Sequence, residues 1–367
     1  MDHTDDPTRG GISNLRGAGK DLGARAFHPR EAVTAFAPAG GVRVREEMTS
    51  SERDAVSELG AAFTDQTEGI WILISGEFTS NGDVSTEGQV RDILHTAFGY
   101  PKVDGPAHTL NVLLDSSGGN LDSAYTTVLY LSAYAKTLNV YVPDRAKSAG
   151  TLVAVGADRV FLSPFGQLGP LDTQIPNPRN PANDVSALDC YQSVDYVRDF
   201  GFRTVISVLP KLVEATERRI SVNELLAAAS TFALGTIGPV LQSVTALDFG
   251  GWGRTLRIGE HYARKLLEAK AVNGHASRID ETAFELVYGY THHLFPIDLN
   301  EGKRLGLNVH AMDEKVYEGA IKVVRACHKK SFVGFLNKEQ NDAVKAEERD
   351  TESPEQDAGS TGTGTPI

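Results

Sequence analysis

Apolar residues along this chain fall into short unbroken runs, separated by stretches in which they recur every third or fourth position. Ile70 to Ser75, Leu110 to Leu114, Val140 to Val142 and Val160 to Leu162 are the short runs and predict buried strands, the last two stopped by Pro143 and by Ser163-Pro164. Thr86 to Phe98, Leu121 to Lys136 and Ser148 to Gly156 carry helical spacing, the first behind a threonine suited to capping. Short buried strands separated by helices require right-handed crossovers, so the expected fold is α/β, with repeated ββα or βα units and a mainly parallel sheet covered on both faces.

From about Asn183 the pattern turns helical, with Leu- and Ala-rich stretches at 185–210, 222–247 and 257–270, and a last α/β piece ends near Val309. The chain therefore divides into an N-terminal arm at 1–45, an α/β core at 46–182, a helical insert at 183–275, a return of the core at 276–335 and an acidic tail at 336–367. Both ends lack apolar periodicity and are expected to be disordered. There is no internal repeat.

Composition narrows the function classes. With 48 acidic against 36 basic residues and a formal net charge of −12, the chain is a poor tracker of phosphate, so neither nucleic acid nor an anionic membrane surface is the expected partner. Cys190 and Cys327 stand far apart in no metal-ligand spacing, which predicts two structural thiols in a reducing, cytoplasmic setting. The first thirty residues show no secretory pattern. Leu225 to Leu247 carries no formal charge, but its Ala, Ser, Thr and Gly with Pro239 and Gln242 predict a buried or inter-subunit helix before a membrane span. Gly17-Ala18-Gly19-Lys20 fails as a phosphate loop, because Asn14 replaces the required glycine and Asp21 the required hydroxyl residue.

Two junctions carry chemistry. Asp115-Ser116-Ser117-Gly118-Gly119 follows a strand and precedes a helix, at the carboxyl edge where parallel sheets bind ligands. Ala146-Lys147-Ser148-Ala149-Gly150 occupies the equivalent junction one crossover later and sets a hydroxyl at a helix start. Ser148 alone reads as a cap, and Gly-Gly alone as a tight turn. Together they offer an oxygen nucleophile beside backbone donors at Gly119 and Ala149, the parts an amide hydrolase needs.

These residues resemble a known family. The Ser-Ser-Gly-Gly turn, the run Val142-Pro143-Asp144-Arg145-Ala146-Lys147-Ser148-Ala149-Gly150-Thr151-Leu152-Val153-Ala154, then Gly156-Ala157-Asp158 and Leu168-Gly169-Pro170-Leu171-Asp172-Thr173-Gln174, look like the serine dehydrogenase proteinase family of the Clp/crotonase-like superfamily. The likeness covers about residues 68–176 and returns at Pro296-Ile297 and Gly306-Leu307-Asn308-Val309; the insert and the tails lie outside it. It implies a Clp/crotonase-like fold and a serine endopeptidase, with Ser148 as nucleophile and Gly118 and Gly119 in the oxyanion hole. Despite the family name, no nicotinamide cofactor is expected, since no G-x-G-x-x-G opens a helix after a strand in the right place. No metal is implied either.

The base is where this sequence departs from the superfamily. Clp proteases carry a histidine after the Leu-Gly-Pro turn, whereas Leu171, Asp172, Thr173 and Gln174 stand here; signal peptide peptidases use a lysine. His292 and His293 lie where the Clp pattern delivers its aspartate, so a Ser148, His293, Asp172 triad with exchanged positions is chemically complete. His292 is the nearest substitute. Lys147 is poorly aimed at its neighbour and reads as a solvated lysine, and Lys211 qualifies only if the insert folds back over the sheet. A solvent-facing His pair with Asp172 capping a turn is the bland alternative, and a metal site at the pair lacks a third ligand.

Three function classes follow: a serine peptidase acting on a peptide or protein as a homo-oligomer, a crotonase-like acyl-CoA enzyme, and a non-catalytic peptide-binding scaffold. Ser148 separates the first from the second, because a hydratase has no use for it.

Overall fold

The computed structural model describes residues 48–80, 85–101, 105–177, 180, 184–217, 219–270, 276–327 and 330–351. The arm expected at 1–45, with its Gly17 to Lys20 stretch, and the end of the expected tail lie outside the described residues. Helix α1 (Ser50–Thr64) starts from a capping box between Thr49 and Glu52. After it β1 (Ile70–Ser75), α2 (Thr86–Phe98), β2 (His108–Asp115), α3 (Leu121–Tyr134) and β3 (Ala135–Val142) alternate. Shorter pieces follow: β4 (Arg145–Ala146), α4 (Ala149–Val155), β5 (Arg159–Leu162), β6 (Gln167–Leu168), and the pair β7 (Gln174–Pro176) and β8 (Asp184–Ser186). Three long helices, α5 (Ala187–Ala215), α6 (Val222–Leu241) and α7 (Ala246–Lys270), make up the insert. Then come α8 (Ala276–Tyr288), α9 (Leu299–Arg304), β9 (Val309–Ala311), α10 (Glu314–Ala326), β10 (Phe332–Phe335) and α11 (Lys338–Thr351).

The main sheet has the order β10-β1-β2-β3-β5-β9 and is parallel except for β10, which pairs antiparallel with β1. Ile72, Ile74, Val112 and Leu114 pack against Val90 and Leu94 of α2, Val128 and Leu131 of α3, and Leu152 of α4. The alternate residues Trp71, Leu73 and Leu113 meet Val56 and Phe63 of α1 and Ala320 and Val323 of α10. A mixed α/β fold results, with helices on both sheet faces, because the strands are apolar on both sides of the pleat.

Several boundaries differ from the sequence expectation, each for a local reason. The α/β part continues past Val309 through α10 and β10. The expected disordered tail at 336–367 begins as ordered chain: Leu336 is buried, and the Asn337 side chain accepts the Trp71 amide at 2.6 Å and donates to the Gly69 carbonyl at 3.2 Å. The single helix expected at 222–247 breaks after Leu241, and α7 starts at Ala246 behind a reciprocal pair in which Thr245 and Asp248 bond each other's amides at 3.0 and 3.1 Å. Of the buried or inter-subunit helix expected in the uncharged segment, burial within the chain is not what is found. Leu225, Ala229 and Ala233 point inward, yet only 17% of the most apolar window of α6 is covered.

Candidate active site

The end of β2 and the start of α4 are laced together by backbone. Ser116 donates its amide to the Arg145 carbonyl at 2.9 Å and accepts the Lys147 amide at 2.9 Å, a parallel bridge that brings the Gly-Gly turn beside Ser148. Gly118 and Gly119 have φ of 123° and 119°, backbone that favours glycine. Contact enforces this as well: a Cβ on Gly119 would stand 2.3 Å from the Phe78 carbonyl oxygen, because Phe78 bridges across it by bonding the Gly118 carbonyl and the Asn120 amide.

Ser148 occupies the N-cap of α4 without acting as a cap. Its φ and ψ are 46° and −112°, a strained conformation for a residue with a Cβ, and its side chain makes no capping bond. The residue is buried, and among the described residues nothing hydrogen-bonds its hydroxyl. Thr151, one turn on, anchors α4: its hydroxyl lies 2.7 and 2.8 Å from the Ala146 and Gly169 carbonyls, between which its single hydrogen is shared, and accepts the Gly169 amide. The donors beside Ser148 are not equivalent. Gly118 gives its N–H to Ser116 Oγ at 3.1 Å, so it is spent within the turn; this corrects its expected place as an oxyanion donor. Among the described residues no acceptor takes the N–H of Gly119 or Ala149, which leaves two donors for a ligand.

Lys147 is not solvated, contrary to expectation. Its stem runs past Gly169, where a Cβ would come within 2.7 Å of Lys147 Cδ, and the ammonium donates to the Leu168 carbonyl at 2.8 Å, Gln167 Oε1 at 3.1 Å and the Phe295 carbonyl at 3.5 Å. Burial, helped by the positive charge of Arg145 and opposed by Asp144, pulls its pKa down to about 8. Sequence spacing carried no sign of this clamp, because all three acceptors come from distant segments.

Asp172 and His293 do meet. Leu168 and Ile297 exchange backbone bonds at 2.9 and 3.1 Å, which fastens the His-bearing loop to the Leu168–Asp172 segment. His293 Nδ1 lies 3.7 Å from Asp172 Oδ2, too far for a hydrogen bond, and is itself buried without a partner. Asp172 is 3% exposed and accepts the Leu188 amide at the start of α5 at 3.2 Å, a bond across 16 residues that fixes its carboxylate and not the cap of a local turn. His292 is exposed and turns back on its own loop, accepting the Leu294 amide at 3.2 Å.

Lys211 is not brought to the site. It is exposed near the far end of α5, and the 23 residues from Leu188 place it about 35 Å along the helix from Asp172. Compared with family models, curated proteins and solved structures, the chain matches none of them.

Proposed function

We propose that this chain is a serine peptidase with a Clp/crotonase-like fold, cutting peptide bonds through an acyl-enzyme on Ser148. The observation that carries it is Ser148 itself: a buried hydroxyl held in strained backbone, bonded to no described residue, with the unused amides of Gly119 and Ala149 beside it. Such strain persists where surrounding structure over-determines it, as the Ser116 bridge and the Thr151 anchor do here.

In the proposed reaction Ser148 Oγ attacks the scissile carbonyl carbon while His293 takes its proton at Nε2. Nδ1 faces the Asp172 carboxylate, which steadies the imidazolium. The negative oxygen of the tetrahedral intermediate accepts from Gly119 and Ala149. Collapse breaks the C–N bond, His293 protonates the departing amine, and water then hydrolyses the ester by the same steps. The 3.7 Å gap between His293 and Asp172 has to close when substrate binds, a tightening common to sites without substrate. Lys147, hydrogen-bonded toward Leu168 and Phe295, serves in this scheme as a clamp and not as the base.

The insert supplies contacts between copies of the chain. Val222–Leu241 is apolar nearly all round and mostly uncovered, with Phe232 and Leu234 exposed, while Phe202 and Ile206 of α5 are exposed alongside. A helix of this kind needs a partner surface. Glu217 and Arg219 at the α5–α6 turn, with Arg203 and Lys211 on α5, favour protein over lipid as that surface.

A fluorophosphonate tests the central claim. It should label the full chain, and Ser148→Ala should abolish labelling while leaving the circular dichroism spectrum unchanged. Absence of labelling in a folded parent would support the non-catalytic scaffold instead.

A further inference from the structure

Behind the turn that carries Ser148, on the sheet face covered by α10, lies a cavity of about 610 Å³ that the proposed catalysis does not use. We propose that this cavity is a second binding site, taking a small zwitterion with an apolar body: an amino acid or a peptide of two or three residues.

Its place and size suit a ligand. Asp115 ends β2, and Asp144 and Arg145 follow β3, so the cavity opens at the carboxyl edge of neighbouring parallel strands. Small-molecule sites typically enclose about 300–1,000 Å³. One wall is aromatic, with the Phe165 and Tyr317 rings 5.9 Å apart and Phe165 64% exposed, which leaves a ring face open to the cavity.

Charge selects the class. At the base, Arg145 Nε lies 3.9 Å from Asp115 Oδ1, and that buried nitrogen has no hydrogen-bond acceptor. Toward the rim stand Asp144 and Arg325, both exposed, and neither is hydrogen-bonded or ion-paired through its side chain to a described residue. Two guanidinium groups and two carboxylates line one cavity. A simple anion entering it faces the carboxylates, and a simple cation faces the arginines. A molecule carrying both an acid and an amine answers all four, since charge-assisted bonds form at each end while its body packs on Phe165 and Tyr317. This argument is independent of Ser148 as a nucleophile.

The test uses the full chain carrying Ser148→Ala, so that no turnover interferes, and titration calorimetry with the dipeptide Ala-Phe, its N-acetyl form and its C-terminal amide. Ala-Phe should bind saturably, and each capped form at least about tenfold more weakly, as the loss of one charge-assisted contact predicts. Arg325→Gln should erase the penalty for the amide, and Asp144→Asn the penalty for N-acetylation; both residues are exposed, so neither change threatens the fold. No saturable binding of Ala-Phe up to about 10 mM, equal affinity for the capped forms, or indifference to both substitutions would overturn the proposal.

Discussion

Gly118 and Ser148 touch across two strand ends: a Cβ on Gly118 would stand 3.1 Å from the Ser148 Cβ and 3.7 Å from its Oγ. Both residues hold positive φ, 123° and 46°, a conformation free to Gly118 and strained for Ser148, so a side chain at 118 would add strain beside the nucleophile candidate.

Gly118→Ala should therefore lower stability by about 1–3 kcal/mol, from backbone strain and the crowded contact, and slow phosphonate labelling by more than about tenfold. Urea unfolding and labelling rates measure both. Stability and labelling equal to the parent would show the turn to be looser than this contact implies. Gly119→Ala should be the harsher change, since its Cβ meets Phe78 backbone and not a side chain that can shift.

Ser148→Gly separates stability from function. Glycine accepts φ of 46° without penalty, so this variant should be more stable than Ser148→Ala by about 1 kcal/mol, and both should fail to label. A glycine variant no more stable than the alanine variant would mean that residue 148 stores no strain.

Lys147 gives a pH signature. Its folded pKa of about 8 lies below the ordinary 10.5, so between these values the unfolded chain binds more protons than the folded one. Stability contributed by this group therefore rises with pH across that window, and below about pH 8 the buried ammonium carries its full desolvation cost. Subtracting unfolding free energies of Lys147→Met from those of the parent should give a difference that grows from neutral pH to about pH 10. A flat difference would place the lysine in an ordinary, well-solvated setting.

What the sequence disclosed followed from how local the determining interactions are. β1 and α2 match their expected limits because an unbroken apolar run and a helix bounded by Ser85 and Gly99 hold their own signals, although Ser85 caps α2 in place of the expected threonine. β10 was hidden, since Gly334 inside Phe332–Phe335 reads as a break and only pairing with β1 makes it a strand. The Ser148 and Gly118-Gly119 constellation was legible as a motif, whereas its geometry was not: the Ser116 hydroxyl that consumes the Gly118 amide, and the distant carbonyls that hold Lys147, appear only when chain segments meet. The nearness of Asp172 and His293 was reached through the family pattern, with no local signal in either residue.

The insert makes its own prediction. If copies of the chain meet through α5 and α6, Leu234→Glu should dissociate them in sedimentation velocity without loss of helix content, because the leucine is 64% exposed and has little packing inside one chain to lose. An unchanged sedimentation coefficient for an oligomeric parent would move the contact elsewhere.

The base is the most exposed claim. Asp172 is buried, steadied by the Leu188 amide, and 3.7 Å from a His293 nitrogen that has no other partner, so the pair is arranged for an aspartate to orient an imidazole. If His293 is the general base, His293→Gln and Asp172→Asn should each reduce the rate of phosphonate labelling by about a hundredfold or more, and the double variant should lose little beyond the worse single one, because triad members act as a unit. A lysine base gives the opposite pattern: a rise centred near pH 8, loss in Lys147→Met, and retention in both histidine variants His292→Gln and His293→Gln. The two bases differ in the variant that abolishes labelling, so one series of variants decides between imidazole and amine while leaving the role of Ser148 to its own test.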